Sequence, residues 1–305
     1  MVSAGMEAHV KRISRQDKIA TVVLTAIVGL VIAMLAVIVL YILVSGAGKL
    51  FDISFLTGKP QQFKAGGGIG PELFNSFYLL FLTLLISVPI SLGAAIFLSQ
   101  YAPDNWMTAA AKTAIETLSS LPSIVVGLFG FLFFVLYMGW GFSIIAGAVA
   151  LTMFNIPILV RVIQQALEDV PRSQRDAGLA MGLTRWETTI HVLLPAAMPA
   201  IVTGVVLSAG RVFGEAAALI FTAGQSAPVL DFACLDFSSP SCPWNVFRPA
   251  ETLAVHIWKI NSEGVVPDLT AISNGTAAVL MVCILAFNIL ARVIGKYLER
   301  RLTSE

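Results

Sequence analysis

The residues best suited to chemistry in this chain are two opposite charges inside a long apolar stretch. Arg211 and Glu215 lie four positions apart within the apolar segment 195–223. On a helix, residues four apart share one face and can contact each other. A lone charge at the centre of a bilayer costs about 2.5–3.5 kcal/mol, so both side chains must face the protein interior. Two interpretations stay open: a structural ion pair that fixes this helix to a neighbour, or a polar patch on the path of an anion.

Other polar side chains lie beside prolines in apolar stretches. Serines surround Pro122, and Arg161 follows Pro157. A helix start broken by proline frees backbone groups that can line a cavity. Ordinary helix packing explains the serines equally well, and Arg161 can instead extend its guanidinium to the membrane surface. The candidate residues of a substrate path are Arg211, Glu215, Arg161, Ser119, Ser120 and Ser123.

The composition fixes the class of protein that must position these residues. Of 305 residues, 57% are hydrophobic and 12% are charged, whereas soluble domains are about 45–50% apolar and about 25% charged. Too little polar surface remains to cover a water-soluble particle, and a net charge of +1 provides no field that attracts nucleic acid. Because the apolar runs are continuous and do not alternate, we predict an all-α polytopic protein embedded in a lipid bilayer.

Six apolar stretches are long enough to cross a bilayer, which takes about 20 residues of helix. They are residues 19–44, 73–100, 118–139, 144–163, 195–223 and 271–297. Thirteen of the 19 basic residues lie in the two tails, in the second and fourth connections, or at the ends of the spans that adjoin them. Basic residues concentrate on the cytoplasmic side, so we predict that both termini are cytoplasmic. An even number of spans agrees with this, since it places both termini on the same side.

These spans divide the chain into segments with predicted locations. The predicted segments are a cytoplasmic tail at 1–18, a first transmembrane helix at 19–45, an extracytoplasmic loop at 46–72, a core at 73–297 and a cytoplasmic tail at 298–305. Within the core, 164–194 is predicted to be cytoplasmic and 224–270 extracytoplasmic. Cys234 and Cys242 lie in the outer loop, where an oxidising compartment favours a disulfide between them. The three histidines are scattered, so we expect no metal site and no catalytic residue.

The inner segment 164–194 carries the most specific local pattern. Pro171 suits a helix start and Gly182 suits its end, and Thr184 with Glu187 has the spacing of a capping box that begins a second helix. The segment is therefore predicted to form a helix–glycine–helix elbow, although a solvated loop is the alternative. The small residues that would let another protein approach the first helix are Ala177, Gly178 and Ala180.

The spacing of this segment resembles the EAA loop of importer-type ABC permeases, which has Glu-Ala-Ala, three residues, Gly, nine residues, and Ile-x-Leu-Pro. The matching residues here are Asp176, Ala177, Gly178, Gly182, Val192, Leu194 and Pro195, with Asp for Glu, Gly for the second Ala and Val for Ile. The resemblance implies that the loop docks on a cytoplasmic ATPase subunit. Its coupling residues would be Asp176, Ala177, Gly178, Ala180, Gly182, Leu194 and Pro195. The chain has no G-x-x-x-x-G-K-[ST] loop of its own.

Residues 119–127, 210–223 and 249–258 resemble phosphate-specific ABC permeases, especially their A-type subunit. That resemblance implies a type I importer permease fold in the bacterial plasma (inner) membrane, with transport by alternating access. It also implies three kinds of partner: two copies of an ATP-binding subunit, a second permease, and an extracytoplasmic phosphate-binding protein. The chain itself would bind no cofactor and would not be an enzyme, since ATP and Mg²⁺ would bind the ATPase.

If the substrate is phosphate, as the resemblance implies, Arg211 and Glu215 can each interact with it. A guanidinium can bind two phosphate oxygens at once. Phosphate near neutral pH keeps a P–OH proton that Glu215 can accept, whereas sulfate has none and meets repulsion. A permease for sulfate or molybdate and a subunit that signals phosphate status remain alternatives. A membrane-bound enzyme is a further alternative, although the spans offer no His or Asp pair to activate a nucleophile.

Overall fold

The computed structural model describes residues 2–61, 65–226, 228–234, 236–264 and 267–303, and these form helices and loops without a strand. The helices are α1 Val2–Leu50, α2 Ile53–Thr57, α3 Gly70–Ile96, α4 Trp106–Ser119, α5 Ser123–Gly130, α6 Ile144–Glu168, α7 Arg172–Ala180, α8 Arg185–Thr188, α9 Leu194–Phe213, α10 Ala217–Thr222, α11 Leu253–Glu263 and α12 Leu269–Thr303. π-Helical turns extend α3 to Tyr101 and α5 to Tyr137, and a third joins α8 to α9. The all-α prediction is confirmed.

Five helical segments of the described chain are long and apolar enough to cross a membrane, and the bent α4–α5 pair makes a sixth if it counts as one span. The first of them, within α1, buries none of its apolar window. Its side chains are exposed on all sides, as expected of a helix whose solvent is lipid. It packs along α12, where Gly46 meets Asn274 and Ala278 without room for a side chain.

The centre of the bundle is formed by α3, α6 and α9, which pack against one another. A buried polar chain links all three. Asn155 of α6 donates through Nδ2 to Ser87 Oγ of α3 at 3.2 Å, and Ser208 Oγ of α9 donates to Asn155 Oδ1. Side-chain hydrogen bonds between membrane helices contribute about 0.6 kcal/mol each on average. These hydrogen bonds therefore fix the relative register of the three central helices.

The third predicted span is broken near its start, where Pro122 stands. The prediction began it at Leu118, but α4 ends at Ser119 and α5 begins at Ser123, with a bend of 97° between them. Pro122 occupies the N-cap of α5. Proline has no N–H to donate and disfavours helical backbone in the residue before it, which explains the break.

The fifth predicted span, 195–223, is also interrupted. Helix α9 ends at Phe213, Gly214 is its C-cap, and α10 begins only at Ala217. The helix that begins at the Thr184 capping box is continuous with α9, because α8 runs from Arg185 through the π-helical turn into it. Arg211 therefore lies in the last turn of α9, and Glu215 lies in the break that follows.

Helices α5 and α10 approach so closely that the contact predicts a stability effect. A Cβ atom built on Gly127 lies 2.7 Å from the Cα atom of Ala218, which is backbone and cannot rotate away. We expect Gly127→Ala to destabilise the protein by about 1–3 kcal/mol through overpacking. Thermal unfolding of the purified protein in detergent measures the change.

Gly93→Ala is the matched control for this substitution. Gly93 is also helical, but a Cβ there meets no atom within 4 Å. Alanine is favoured over glycine in a helix by up to about 1 kcal/mol, so this variant should be as stable as the parent or more so. A Gly127→Ala protein that melts no lower than the parent contradicts the packing argument.

Candidate substrate path and coupling elbow

Arg211 is held by an aromatic ring and not by the predicted carboxylate. Its guanidinium carbon lies 4.4 Å from the centroid of the Phe154 ring on α6, a favourable cation–π distance. No carboxylate of the described residues lies within 4.0 Å of it. The expected Arg211–Glu215 contact on one helix face is therefore wrong, because the helix ends between the two residues. No pattern in the sequence indicates Phe154 as the partner of Arg211.

Glu215 lies within the break that follows α9, and its carboxylate is bonded to α10 on the far side from Arg211. Its Oε1 accepts a hydrogen bond from the backbone N–H of Ala218 at 3.3 Å, at the start of α10. The side chain is half-buried, and the backbone N–H of Glu215 donates to the carbonyl of Val212 at 3.2 Å. The cation and the carboxylate thus occupy the two sides of one helix break, each with its own partner.

The remaining path candidates lie around the α4–α5 bend and in the C-terminal half of α6. Arg161 faces Glu116 of α4 with an N–O distance of 3.8 Å, and both side chains are more than 60% exposed, so the pair contributes little stability. A cavity of about 160 Å³ adjoins the pair, lined also by Lys112, Gln164 and Glu168. Arg161 therefore extends toward α4 at this surface.

The three serines do not act as one group. Ser119 Oγ donates to the carbonyl oxygen of Glu116 at 2.8 Å, and Ser120 Oγ donates to that of Thr117 at 2.7 Å. Both hydroxyls thus satisfy the carbonyls at the end of α4. Ser123 begins α5 on the other side of the bend and is half-buried. The three residues mark the break, and their role on a path stays a prediction.

The inner segment forms the expected elbow. Thr184 and Glu187 make both bonds of the capping box, at 2.8 Å from Thr184 N to Glu187 Oε2 and 3.2 Å from Glu187 N to Thr184 Oγ1. Gly182, between α7 and α8, has φ +84°, a left-handed conformation that favours glycine. Local caps therefore build the elbow, and its second helix, α8, continues through a π-helical turn into α9.

The coupling candidates divide into exposed and packed residues. Exposed on the elbow are Asp176, Ala177, Ala180 and Gly182, whereas Leu194 and Pro195 are half-buried at the start of α9. Gly178 is buried, and a Cβ there would lie 2.8 Å from Thr188 Cγ2. The expectation that Gly178 lets another protein approach is thus wrong, because it lets α8 approach α7.

Two further predictions concern residues of the segment 224–270. Cys234 and Cys242 are free thiols in the structure, so the predicted disulfide is not formed there. Each thiol instead faces a backbone carbonyl, with Cys234 Sγ 3.6 Å from Asp236 O and Cys242 Sγ 3.6 Å from Cys234 O. His256, which spacing left without a partner, lies against two buried glutamates, Glu72 and Glu251.

The described residues form an all-helical bundle with several helices of membrane-spanning length and an elbow that continues into a central helix. The family model for the inner membrane component of binding-protein-dependent transport systems matches residues 87–304. The chain therefore belongs to this family, the permease subunits of type I ABC importers, and is a multi-pass protein of the bacterial inner membrane.

Curated relatives match over most of the chain. The probable ABC transporter permease protein YqgI of Bacillus subtilis is 49% identical over 94% of this chain and 98% of its own length. The phosphate transport system permease protein PstA of Yersinia pestis is 32% identical over 77% of this chain and 75% of its own length. PstA 2 of Mycobacterium bovis is 32% identical over 85% of this chain and 80% of its own length.

Solved structures share the fold at low sequence identity. A chain of a bacterial alginate ABC transporter, solved in complex with an alginate-bound periplasmic protein, matches with a TM-score of 0.60 and 15% identity, over 96% of this chain and 97% of that one. A chain of the MetNI methionine ABC transporter matches with a TM-score of 0.55 and 18% identity, over 76% of this chain and 94% of that one. At these identities the likeness concerns the fold alone.

Proposed function

We propose that this chain is the permease subunit of an ATP-driven importer of inorganic phosphate. The observation that carries the proposal is the guanidinium of Arg211, which rests on the Phe154 ring without a carboxylate partner among the described residues. An aromatic ring carries no net charge, so this cation is available to an anion. The match to phosphate permeases from Yersinia pestis and Mycobacterium bovis supports phosphate as that anion.

Phosphate suits the two sides of the helix break better than other oxyanions do. The planar guanidinium of Arg211 binds two oxygens of a tetrahedral anion. Glu215, across the break, would repel a fully ionised anion, but it can accept a hydrogen bond from the P–OH group that phosphate retains near neutral pH. Sulfate and molybdate offer no such proton. Arg161 and the serines at the α4–α5 bend would line the inner part of the same path.

Transport would proceed by alternating access with ATP hydrolysis on other subunits. Two cytoplasmic ATPase subunits would bind ATP and Mg²⁺ and hold the exposed face of the elbow, including Asp176 and Ala177. Because α8 continues into α9, motion of the elbow would reach Arg211 through one helical segment. A second permease would complete the pore, and an extracytoplasmic phosphate-binding protein would deliver the substrate. The chain itself would bind no cofactor.

Uptake of labelled phosphate tests the proposal. Proteoliposomes would contain this chain with the second permease and the ATPase encoded beside it, and the matching binding protein would be added outside. We expect ATP-dependent phosphate uptake that a large excess of sulfate or molybdate leaves unchanged. Uptake of sulfate or molybdate in place of phosphate would keep the permease class and overturn the substrate.

Glu215→Gln tests the basis of selectivity at the break. Removing the negative charge removes the repulsion of sulfate, and a loss of about 1 kcal/mol of repulsion corresponds to about a fivefold gain in affinity. We expect labelled sulfate to bind the purified permease–ATPase complex about fivefold more tightly in the variant. The binding protein is left out, because its own selectivity would hide the effect. Unchanged sulfate binding would show that Glu215 does not exclude sulfate.

A further inference from the structure

A buried group of four charged side chains joins the start of α3 to α11. Glu72 belongs to the first turn of α3, Glu251 precedes α11, and His256 and Lys259 lie on α11. Glu72 is fully buried, and Glu251 and His256 are 2% and 5% exposed. Lys259 is half-buried, and three buried ionisable groups beside it require mutual compensation.

The contacts within the group are asymmetric. His256 Nδ1 lies 2.7 Å from Glu251 Oε1 and 4.0 Å from Glu72 Oε1. Lys259 Nζ donates to Glu251 Oε2 at 3.0 Å and to the carbonyl oxygen of Gln225 at 2.7 Å. Both carboxylate oxygens of Glu72 and Nε2 of His256 have no hydrogen-bond partner among the described residues. Glu72 is therefore the member whose charge is least satisfied.

The charge of the group is balanced only by one additional proton. Two carboxylates against the single ammonium of Lys259 leave one negative charge buried. A proton on His256 cancels that charge, and a proton on Glu72 does so equally. Since the two sites share the balance, the proton belongs to the group as a whole. The charged side chains that act on His256 are Glu72, Glu251 and Lys259.

A proton explains the geometry better than a metal ion does. Glu72, Glu251 and His256 each offer one ligand atom, and these atoms lie within 4.8 Å of one another. A divalent cation is therefore the alternative to a proton. However, 2.7 Å between His256 Nδ1 and Glu251 Oε1 is a hydrogen-bond distance. The ammonium of Lys259 already contacts Glu251, and a divalent ion would leave the group with a net positive charge.

The junction also ties other parts of the bundle together. Asn75 Nδ2 of α3 donates to the carbonyl of Glu251 at 3.0 Å, and the N–H of Leu253 donates to Ser76 Oγ at 2.9 Å. The Lys259 bond to Gln225 holds the segment that follows α10. Since α10 begins where Glu215 binds Ala218, the group touches both the outer loop and the helix beside the candidate path.

We propose that Glu72, Glu251, His256 and Lys259 form a buried site for a single proton, which fastens α11 to the start of α3 and to the segment after α10. Loss of the proton at alkaline pH leaves an uncompensated carboxylate in the junction and loosens α11. The predicted topology places this junction on the extracytoplasmic side, where it would sense external pH. The inference concerns the junction alone and does not depend on which anion is transported.

The direction of the pH effect follows from His256. Burial opposes its charged form, but the hydrogen bond to Glu251 and the charges of Glu72 and Glu251 outweigh burial, so its pKa is raised above 6.5. A raised pKa contributes stability that is complete below the ordinary value and is lost as the pH rises through the folded-state value. The junction should therefore be firm at acidic to neutral pH and loosen above it.

Hydrogen–deuterium exchange of the assembled transporter in lipid nanodiscs tests the proposal. Peptides covering 253–263 would be followed at about pH 6 and about pH 9, with exchange times corrected for the intrinsic rate. We expect protection in the parent protein to fall by up to about tenfold for each pH unit above the titration. Glu72→Gln removes the carboxylate that needs the proton, so protection in this variant should stay constant between the same pH values.

Glu263→Gln is the matched control, because Glu263 is exposed at the end of the same helix. This variant should keep the pH dependence of the parent protein. Equal protection of the parent at both pH values overturns the proposal without recourse to any variant. A Glu72→Gln protein that keeps the full pH dependence also overturns it. Protection that falls on addition of a chelator at constant pH would overturn it in favour of a metal site.

Discussion

Replacing Arg211 with alanine should lower phosphate uptake by about 10- to 100-fold, the range expected from the loss of a hydrogen-bonded ion pair worth about 1.5–3 kcal/mol. The Arg211 guanidinium, at the end of α9, lies over the Phe154 ring of α6. No carboxylate of the described residues is within ion-pair distance of it. Its removal breaks no ion pair of the fold, so the variant should assemble normally. Uptake into proteoliposomes, normalised to the amount of assembled transporter, measures the effect.

Two companion variants separate geometry from charge. Arg211→Lys keeps the charge but loses the planar pair of donors, so uptake should fall between the parent and the alanine variant. Arg15→Ala removes an exposed arginine of α1, far from the break, and should leave uptake unchanged. If Arg211→Ala transports phosphate at the parental rate, Arg211 is not on the path, although the family assignment stands.

The second large effect is expected at the elbow. Gly178→Val should uncouple ATP hydrolysis from transport, because a Cβ at this position already lies 2.8 Å from Thr188 Cγ2. Overpacking of this kind costs about 1–3 kcal/mol and would push α7 away from α8, which leads into α9. We expect the phosphate transported per ATP hydrolysed to fall by about tenfold, measured as the ratio of uptake to ATPase rate in the same vesicles.

The control for this variant is Gln174→Val, a change to the same residue at an exposed position of α7. It should leave the ratio unchanged. Copurification of the ATPase with each variant distinguishes loss of coupling from loss of docking. A Gly178→Val protein that keeps the parental ratio would falsify the claim that the α7–α8 contact transmits motion.

Local signals explain which parts of the fold were predictable from sequence. Apolar length predicted the helical class, and the caps around Gly182 and Thr184 predicted the elbow, because each signal depends on residues close together in the chain. The break after Phe213 was not predicted. Its residues Gly214, Glu215 and Ala216 include no proline, and the apolar pattern continues through them into α10.

The missed parts of the candidate sites depend on contacts between distant residues. Phe154 lies on α6 and Arg211 on α9, so nothing near Arg211 in sequence indicates the ring beneath it. Glu72 lies on α3 and His256 on α11, far apart in the chain, so no short sequence motif indicates that they meet. For the same reason the sequence overestimated the Arg211–Glu215 contact, which only a continuous helix could have made.

The chain of hydrogen bonds from Ser87 through Asn155 to Ser208 has a consequence for how the subunit moves. Helices α3, α6 and α9 share it, so sliding any one of them past the others would leave polar atoms unpaired in the protein interior. The three helices should therefore turn as one rigid body. We expect hinges where helical hydrogen bonding is already interrupted, and two such places lie inside predicted spans, at Leu121–Pro122 and at Gly214–Ala216. The second hinge separates Arg211 on α9 from α10, to which the Glu215 carboxylate is bonded. Opening the subunit would therefore change the distance between the Arg211 guanidinium and the Glu215 carboxylate.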